Sequence, residues 1–421
     1  MKIFLINNNI RYANNYILQE FFEHGDLLVY LNIYSPQSSK YIFEGYHLLS
    51  LQKQLSAKIL YFHNELEFTT FLKHLNTNIE IYGEIFFIHW IQEFLTKNNV
   101  HDISINFNIT KSNILLQSYI KHYKVYTPFK NAHINDIKPF NIIENYNIKN
   151  LKSNQYHQYF CENQLENLPE YNFKDFPIGE QAAYDRWNSF KLIIQDYQEG
   201  RSAPYVKHTS RLSAYINAGV VSVEILWNDS LQLPMEHALL FRQQMMWRDF
   251  SHHTYHYIPS MIFNSIYDKF EKVPWKYESP EFEHWKRGQT GFLMIDAAMI
   301  ELNTTGYMFN RCRMLTASLL IKNLKIYWLM GANYFMEKLV DFDYILNSFN
   351  WQWVNGSGMD AAPYFRIFNP HLQLEKFDKN LQYVKQYIPN LEEHMIKHQE
   401  IVDFSTTRSE ILELYKEFIV K

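Results

Sequence analysis

Up to about residue 123 the chain alternates short runs of β-branched and aromatic residues with longer amphipathic stretches. The runs at 2–6, 27–32, 57–62, 79–82 and 102–107 predict strands, with helices between them. Such alternation predicts βαβ units and a parallel sheet, which binds ligands at the carboxyl ends of its strands. Neither a G-x-G-x-x-G turn nor a Walker A loop accompanies it, so ordinary dinucleotide or triphosphate binding in this half is unsupported. From 124 to 177 the chain turns polar and Asn-rich, opening with K-V-Y-T-P-F-K-N-A, the composition of an interdomain connection. From 178 to 421 the apolar period is that of helices almost throughout. The expected fold is therefore an α/β parallel-sheet domain followed by an all-α domain, with no internal repeat and no low-complexity tract.

At 421 residues the chain has room for two or three domains, and 47% apolar residues exclude a disordered or fibrous class. The 31 Tyr and 32 Phe fit either aromatic binding surfaces or a codon bias toward AT-rich sequence. A net charge of −4 means that any grip on nucleic acid must come from a local cationic patch. Two cysteines, Cys161 and Cys312, are too few for a disulfide framework or a thiolate-rich metal site, so no metal and a reducing, cytoplasmic setting are expected. Only four apolar residues precede Asn7–Asn9, too short a core for a signal peptide, and no stretch has the length of a membrane span.

The chemistry concentrates after residue 195. Thr209-Ser210-Arg211-Leu212-Ser213, following Pro204, sets hydroxyls and a guanidinium at a helix start, where exposed amides favour an anion; alone it reads more readily as an ordinary N-cap. In F-R-Q-Q-M-M-W-R-D-F, residues 241–250, Phe241, Gln244, Met245 and Arg248 share one helical face, with Trp247 at its edge. In the run 288–314, Asn310, Arg313 and Met314 line one face and Arg311 is rotated away from it. Asp343, Asn347 and Trp351 form an i, i+4, i+8 stripe. The stretch 351–377 then joins an aromatic cluster to Asp360, Arg366 and an Asn-Pro turn.

Taken in order and spacing, these motifs resemble the DNA photolyase and cryptochrome family, closest to class I cyclobutane pyrimidine dimer photolyases, over residues 124–132 and 178–391. The resemblance implies a Rossmann-like, antenna-type domain at 1–123, a connection at 124–177 and a helical FAD-binding catalytic domain at 178–421. It implies light-dependent repair: photoexcited reduced FAD passes an electron to a flipped pyrimidine dimer in UV-damaged DNA and recovers it after the ring opens. Tyr197, Thr209, Ser210, Arg211, Leu212 and Ser213 would hold the FAD phosphates and ribityl chain. Arg248 would clamp a phosphate, and Gln244 would meet substrate or adenine. Arg313, paired with Asp341, would face the flavin, Asp343 would accept its ring imide hydrogen, and Asn347 would lie near its N5. Trp351, Trp328 and Trp275 occupy the positions of the family's electron-hopping chain. Trp247 and Trp353 would wall the flipped dimer, Gln244, Asn310 and Met314 would meet it, and Arg311, Arg366 and Lys376 would position phosphates. No membrane partner is implied, and a monomer is expected.

Several positions depart from the family's pattern. Phe241 stands where Trp is usual, and Gln244 where the dimer photolyases usually have Glu, which removes a negative charge. Asn7-Asn8-Asn9-Ile10-Arg11 replaces an R-R-D-L-R-type turn. A folate or deazaflavin antenna has no identifiable residues here, and its presence and its loss stay equally open. Photolyases of the (6-4) photoproduct carry paired His residues where this chain has Phe309 to Met314, which favours the cyclobutane class. A cryptochrome-like photoreceptor remains the alternative, against which the short tail after Pro389 speaks. A light-independent flavoprotein oxidoreductase lacks any nicotinamide fingerprint.

Overall fold

The computed structural model describes residues 1–55, 57–75, 77–100, 103–143, 146 and 153–420. The chain divides into two compact units, one of Met1–Gln117, Lys138–Ser189 and Arg211–Leu233, the other of Ser118–Ile137, Phe190–Ser210 and Pro234–Lys421. Within the 124–177 stretch, the helix Tyr126–His133 belongs to the second unit and residues from Lys138 to the first, while 144–145 and 147–152 lie outside the described residues.

The first unit holds a five-stranded sheet of β1 (Lys2–Leu5), β2 (Leu27–Leu31), β3 (Ile59–Phe62), β4 (Ile79–Gly83) and β5 (Ile105–Ile109), in the order β3-β2-β1-β4-β5. Every pairing is parallel, with Ile3 opposite both Leu27 and Ile81. The near-continuous apolar sequences of β1 to β3 follow from burial on both faces. The last strand corrects the expected 102–107: residue 102 lies outside the described residues, and the strand runs Ile105–Ile109. Its I-N-F-N-I alternation belongs to an edge strand, and pairing with β4 carries it two residues beyond the apolar run.

The unusual Asn-rich turn after β1 is buried scaffolding. Asn7, Asn9, Asn14 and Asn15 are all buried. Asn7 exchanges both amide bonds with Leu31, and Asn9 Nδ2 donates to Glu84 Oε1 at 2.8 Å. Arg11, also buried, donates to the carbonyls of Gly219 and Asn14 at 3.0 Å each. Gly219 has φ +70°, and a Cβ there would sit 1.7 Å from the Asn8 carbonyl oxygen, so no other residue fits.

Apart from an isolated bridge between Lys276 and Ile326, the described residues of the second unit are helices and turns. Met235–Tyr257 is its long helix, packed against Tyr344–Asn355 through Trp247, Phe250 and Phe349. Asn310–Ser318 passes through a π-helical turn, Leu319–Asn323, before Trp328–Lys338. No helix among the described residues is long and apolar enough to cross a membrane.

Buried imidazoles make this fold sensitive to acid. His253 Nε2 accepts the Tyr123 amide at 2.9 Å, so that ring serves in its neutral form, while His47 Nδ1 donates to the Phe43 carbonyl at 2.8 Å and it is burial that disfavours the charge of His47. Burial pulls His47 and His253 down from 6.5 to about 4, and burial with the charge of Arg248 pulls His252 to about 3. Below pH 6.5 the unfolded chain gains protons that the folded one refuses, so stability is intact above that pH and falls steadily toward pH 4. Each histidine steepens the fall by up to about 1.4 kcal/mol per pH unit. Thermal unfolding from pH 8 to pH 4.5 should show this loss, and His253→Phe should flatten it.

Candidate functional site

The second unit brings together most of the residues singled out in the sequence. Asp343 is the N-cap of Tyr344–Asn355: its Oδ1 accepts the Leu346 amide at 2.8 Å, so one carboxylate oxygen is engaged and the stripe begins at the cap. One turn on, Asn347 Nδ2 donates to the Ala332 carbonyl at 3.1 Å, which fixes which way the amide points. Two residues before the cap, Asp341 accepts the Arg313 Nη2 at 2.8 and 3.0 Å, and Arg313 Nε donates to the Met308 carbonyl at 2.8 Å. Burial opposes the Arg313 charge, but Asp341, with Tyr307 and Glu301, more than offsets this and holds the pKa above its ordinary value.

His252, on the long helix, feels the charges of both Arg248 and Asp343. Burial and Arg248 lower the His252 pKa, and Asp343 raises it. Among the described residues, buried His252 Nε2 finds no hydrogen-bond partner. Asp343, the oriented Asn347 amide, the Arg313–Asp341 ion pair and, from the long helix, Arg248 and His252 make up the polar set of this part of the unit. That donor and acceptor set fits an isoalloxazine, whose rim presents both an imide N–H and carbonyl oxygens. Tyr197 joins the long helix through Phe190, which contacts Tyr197 edge-on at 5.4 Å and Phe241 at 5.7 Å. Gln244 is half-buried on the same helix.

The run 209–213 is divided: Thr209 and Ser210, both half-buried, lie in the second unit, and Arg211, Leu212 and Ser213 in the first. Arg211 adopts φ +50° and its Nη1 pairs with Asp175 at 2.7 Å. Leu212 is buried, and Ser213 opens the short helix Ser213–Asn217.

Trp351, Trp328 and Trp275 are all buried. Their supports are specific. A Cβ on Gly331 would lie 2.2 Å from Trp351 Cη2, so the Trp328–Lys338 helix approaches this indole by virtue of a missing side chain. Trp328 Nε1 donates to Ser265 Oγ at 3.2 Å, and Trp275 Nε1 to the Phe270 carbonyl at 2.7 Å. Backbone bonds from Lys276 to Lys325 and from Tyr327 to Lys276, each 2.8 Å, lace the residues beside Trp275 to those beside Trp328. The indole in ring contact with Trp351 is Trp285, fully buried and 6.3 Å away. Trp285 was not singled out, because a Trp inside H-W-K-R offers no pattern beyond packing.

In the same unit Asn310 and Arg366 are exposed, and Trp247, Trp353, Arg311 and Met314 are half-buried. Arg366 lies over Trp353 at 5.8 Å, and Arg311 over Phe377 at 4.4 Å, with exposed Lys376 near the same ring at 5.3 Å. Burial lowers the Arg311 pKa, and so do the charges of Arg201 and Arg366. Arginines that repel one another this way mark a place for anions. Arg201 was also missed; its clue was the Arg–Pro-containing turn following Tyr197.

Residues 241–420 match the family model of the FAD binding domain of DNA photolyase. The deoxyribodipyrimidine photo-lyase of Buchnera aphidicola from Acyrthosiphon pisum is 31% identical over 92% of this chain and 89% of its own length. The chain belongs to the DNA photolyase family. The Escherichia coli photo-lyase is 36% identical over 64% of this chain and 58% of its own. Among solved structures, a bacterial class III photolyase from Agrobacterium tumefaciens superposes with a TM-score of 0.78 and 26% identity, covering 100% of this chain and 98% of that one. An archaeal photolyase from Sulfolobus tokodaii, solved with two FAD molecules, gives 0.81 at 24% identity and 99% coverage of both chains, a likeness of fold. This photolyase is thus an FAD-binding enzyme of DNA repair.

Gly331→Ala should force the Trp351 indole from its place. A loss of about 1–3 kcal/mol in thermal or urea unfolding is expected, the cost of overfilling a packed core. Unchanged stability would mean that the two helices slide apart freely.

Proposed function

We propose that this photolyase repairs cyclobutane pyrimidine dimers in UV-damaged DNA under blue light, with FAD bound in the second unit beside a pocket for the extruded dimer. The observation that carries the reading is the oriented polar set on and beside the helix Tyr344–Asn355, with Asp343 capping it, Asn347 held by Ala332 and Asp341 paired with Arg313, in the unit that also holds Trp247, Trp353 and the arginines.

Reduced FAD, when bound, supplies the photoexcited electron that opens the cyclobutane ring. The chain's own residues bind and orient. Asp343 would offer a carboxylate oxygen to the ring imide hydrogen, and Asn347, steadied by Ala332, would hold its amide for N5. Tyr197, Thr209 and Ser210, with Arg248, take the phosphates and the ribityl chain. Trp351, Trp328 and Trp275 would serve as the relay by which an oxidised cofactor is reduced.

A dimer inside a duplex cannot reach a buried cofactor, and photolyases are among the enzymes for which base extrusion is the general rule. Trp247 and Trp353 offer flat walls, each stack contributing roughly 1–3 kcal/mol, enough to offset much of the unstacking cost. Gln244, Asn310 and Met314 meet the bases. Arg201, Arg311 and Arg366 hold the flanking phosphates, so affinity should fall steeply with salt.

The reading is tested by blue-light irradiation of oligonucleotides that carry either a cyclobutane thymine dimer or a (6-4) photoproduct. Restoration of the first alone is expected; restoration of the second alone, or of neither, would refute it. Asn347→Ala should release or oxidise the reduced flavin during gel filtration, read as loss of the reduced-flavin spectrum. Trp351→Phe should slow photoreduction by an external thiol at least about tenfold, a barrier change of about 1.4 kcal/mol, yet leave repair by chemically pre-reduced enzyme intact.

A further inference from the structure

Asp360 stands in the loop that follows the helix Tyr344–Asn355, in the left-handed region at φ +48°. Its Oδ2 accepts the backbone amide of Tyr126 at 3.0 Å. That amide opens the helix Tyr126–His133, whose own N-cap, Val125, has no side chain able to bond it. Asp360 therefore caps a helix more than two hundred residues away in sequence, and a carboxylate is favoured there by the helix dipole.

The capped residue is the one that touches Trp247. The Tyr126 ring stacks on the Trp247 indole with centroids 3.6 Å apart and planes 10° from parallel. Tyr126 is buried, and its hydroxyl donates at 2.9 Å to the carbonyl of Gln243, on the helix that carries Trp247. One face of the indole is thus covered, and Phe250 and Phe349 meet it at 73° and 57°. Trp247 is half-buried, so a base can meet only the part of the indole these rings leave uncovered. The same loop reaches the other wall, since the Ala362 amide, two residues past Asp360, donates to the Trp353 carbonyl at 3.1 Å.

We propose that Asp360 and Tyr126 are positioning residues for lesion recognition: through the cap and the stack they fix Trp247 against Trp353, setting a gap suited to two covalently joined bases. The inference rests on the reading of these indoles as walls of the dimer pocket. Asp360 touches neither flavin nor substrate and acts through Tyr126. An indole free to turn would still stack with single bases but would lose its preference for the dimer.

The test measures binding of the flavin-loaded protein, in the dark, to a thymine-dimer oligonucleotide and to its undamaged twin, with 2-aminopurine opposite the lesion reporting extrusion. Trp247→Ala should reduce the preference for damage at least about tenfold, a difference of about 1.4 kcal/mol. Asp360→Ala and Tyr126→Leu should each reproduce most of that loss with normal flavin content and an attenuated 2-aminopurine signal. Asp360→Asn, which keeps an acceptor oxygen, and Tyr126→Phe, which keeps the stack, should restore most of it. Adding Asp360→Ala to Trp247→Ala should cost little more, because both act at one place. Loss in Trp247→Ala with full preference in Asp360→Ala and Tyr126→Leu would overturn the positioning role alone. Full preference in Trp247→Ala would overturn the wall reading and this inference with it. Should Asp360→Ala not fold, Tyr126→Leu against Tyr126→Phe decides the matter.

Discussion

The buried amide of Gln352 sets the rotation of the helix on which the site depends. Its Nε2 donates to the carbonyls of Met261 and Asn264 at 2.7 and 3.0 Å, and its Oε1 accepts the Ile266 amide at 2.8 Å. The residue is fully buried, so each of these bonds is one that water cannot replace. With Ser348 Oγ donating to the Ile262 carbonyl at 3.1 Å, the segment 261–266 holds one face of Tyr344–Asn355 along its length. The opposite faces then have no freedom: Asn347 must meet Ala332, Trp351 must meet Gly331, and Trp353 must meet Arg366. Lys322 closes the far end, its buried Nζ donating to the carbonyls of Asn355 and Tyr364. A helix rotated by one residue would point all three functional side chains elsewhere and leave the Gln352 amide unpaired.

The electrostatics reconcile an acidic chain with a polyanionic partner. A net charge of −4 is spread over the whole sequence, whereas Arg201, Arg311, Arg366 and Lys376 are gathered within the helical unit. Phe377 lies between Arg311 and Lys376, and Trp353 lies beneath Arg366, so aromatic faces and cations alternate. Bases and phosphates alternate likewise along a strand.

How much of this the sequence disclosed depends on the range of the interactions involved. Strand existence and the change from sheet to helix are local matters of period, and these were legible; only β5, with asparagines breaking its apolar run, was displaced. Helical faces also follow from spacing, which is why Asn310, Arg313 and Met314, or Asn347 and Trp351, fall where periodicity puts them. Contacts between distant segments leave no such trace. Nothing in K-V-Y-T-P-F indicates that Tyr126 stacks on Trp247, nor in M-D-A-A that Asp360 caps another helix. Arg201 is visible only as a charge beside Arg311. The Asn-rich turn after β1 reads as a departure from its family, yet its amides prove to be buried and bonded, a property set by tertiary burial and not by composition.

The central claim is that one face of Tyr344–Asn355 holds the flavin. A crystal structure of the FAD complex tests it most directly. The isoalloxazine should lie within hydrogen-bond reach of Asp343 and Asn347, with Arg313 alongside and Trp351 at its edge. A flavin bound elsewhere in the chain, or one whose ring meets none of these side chains, would contradict the account.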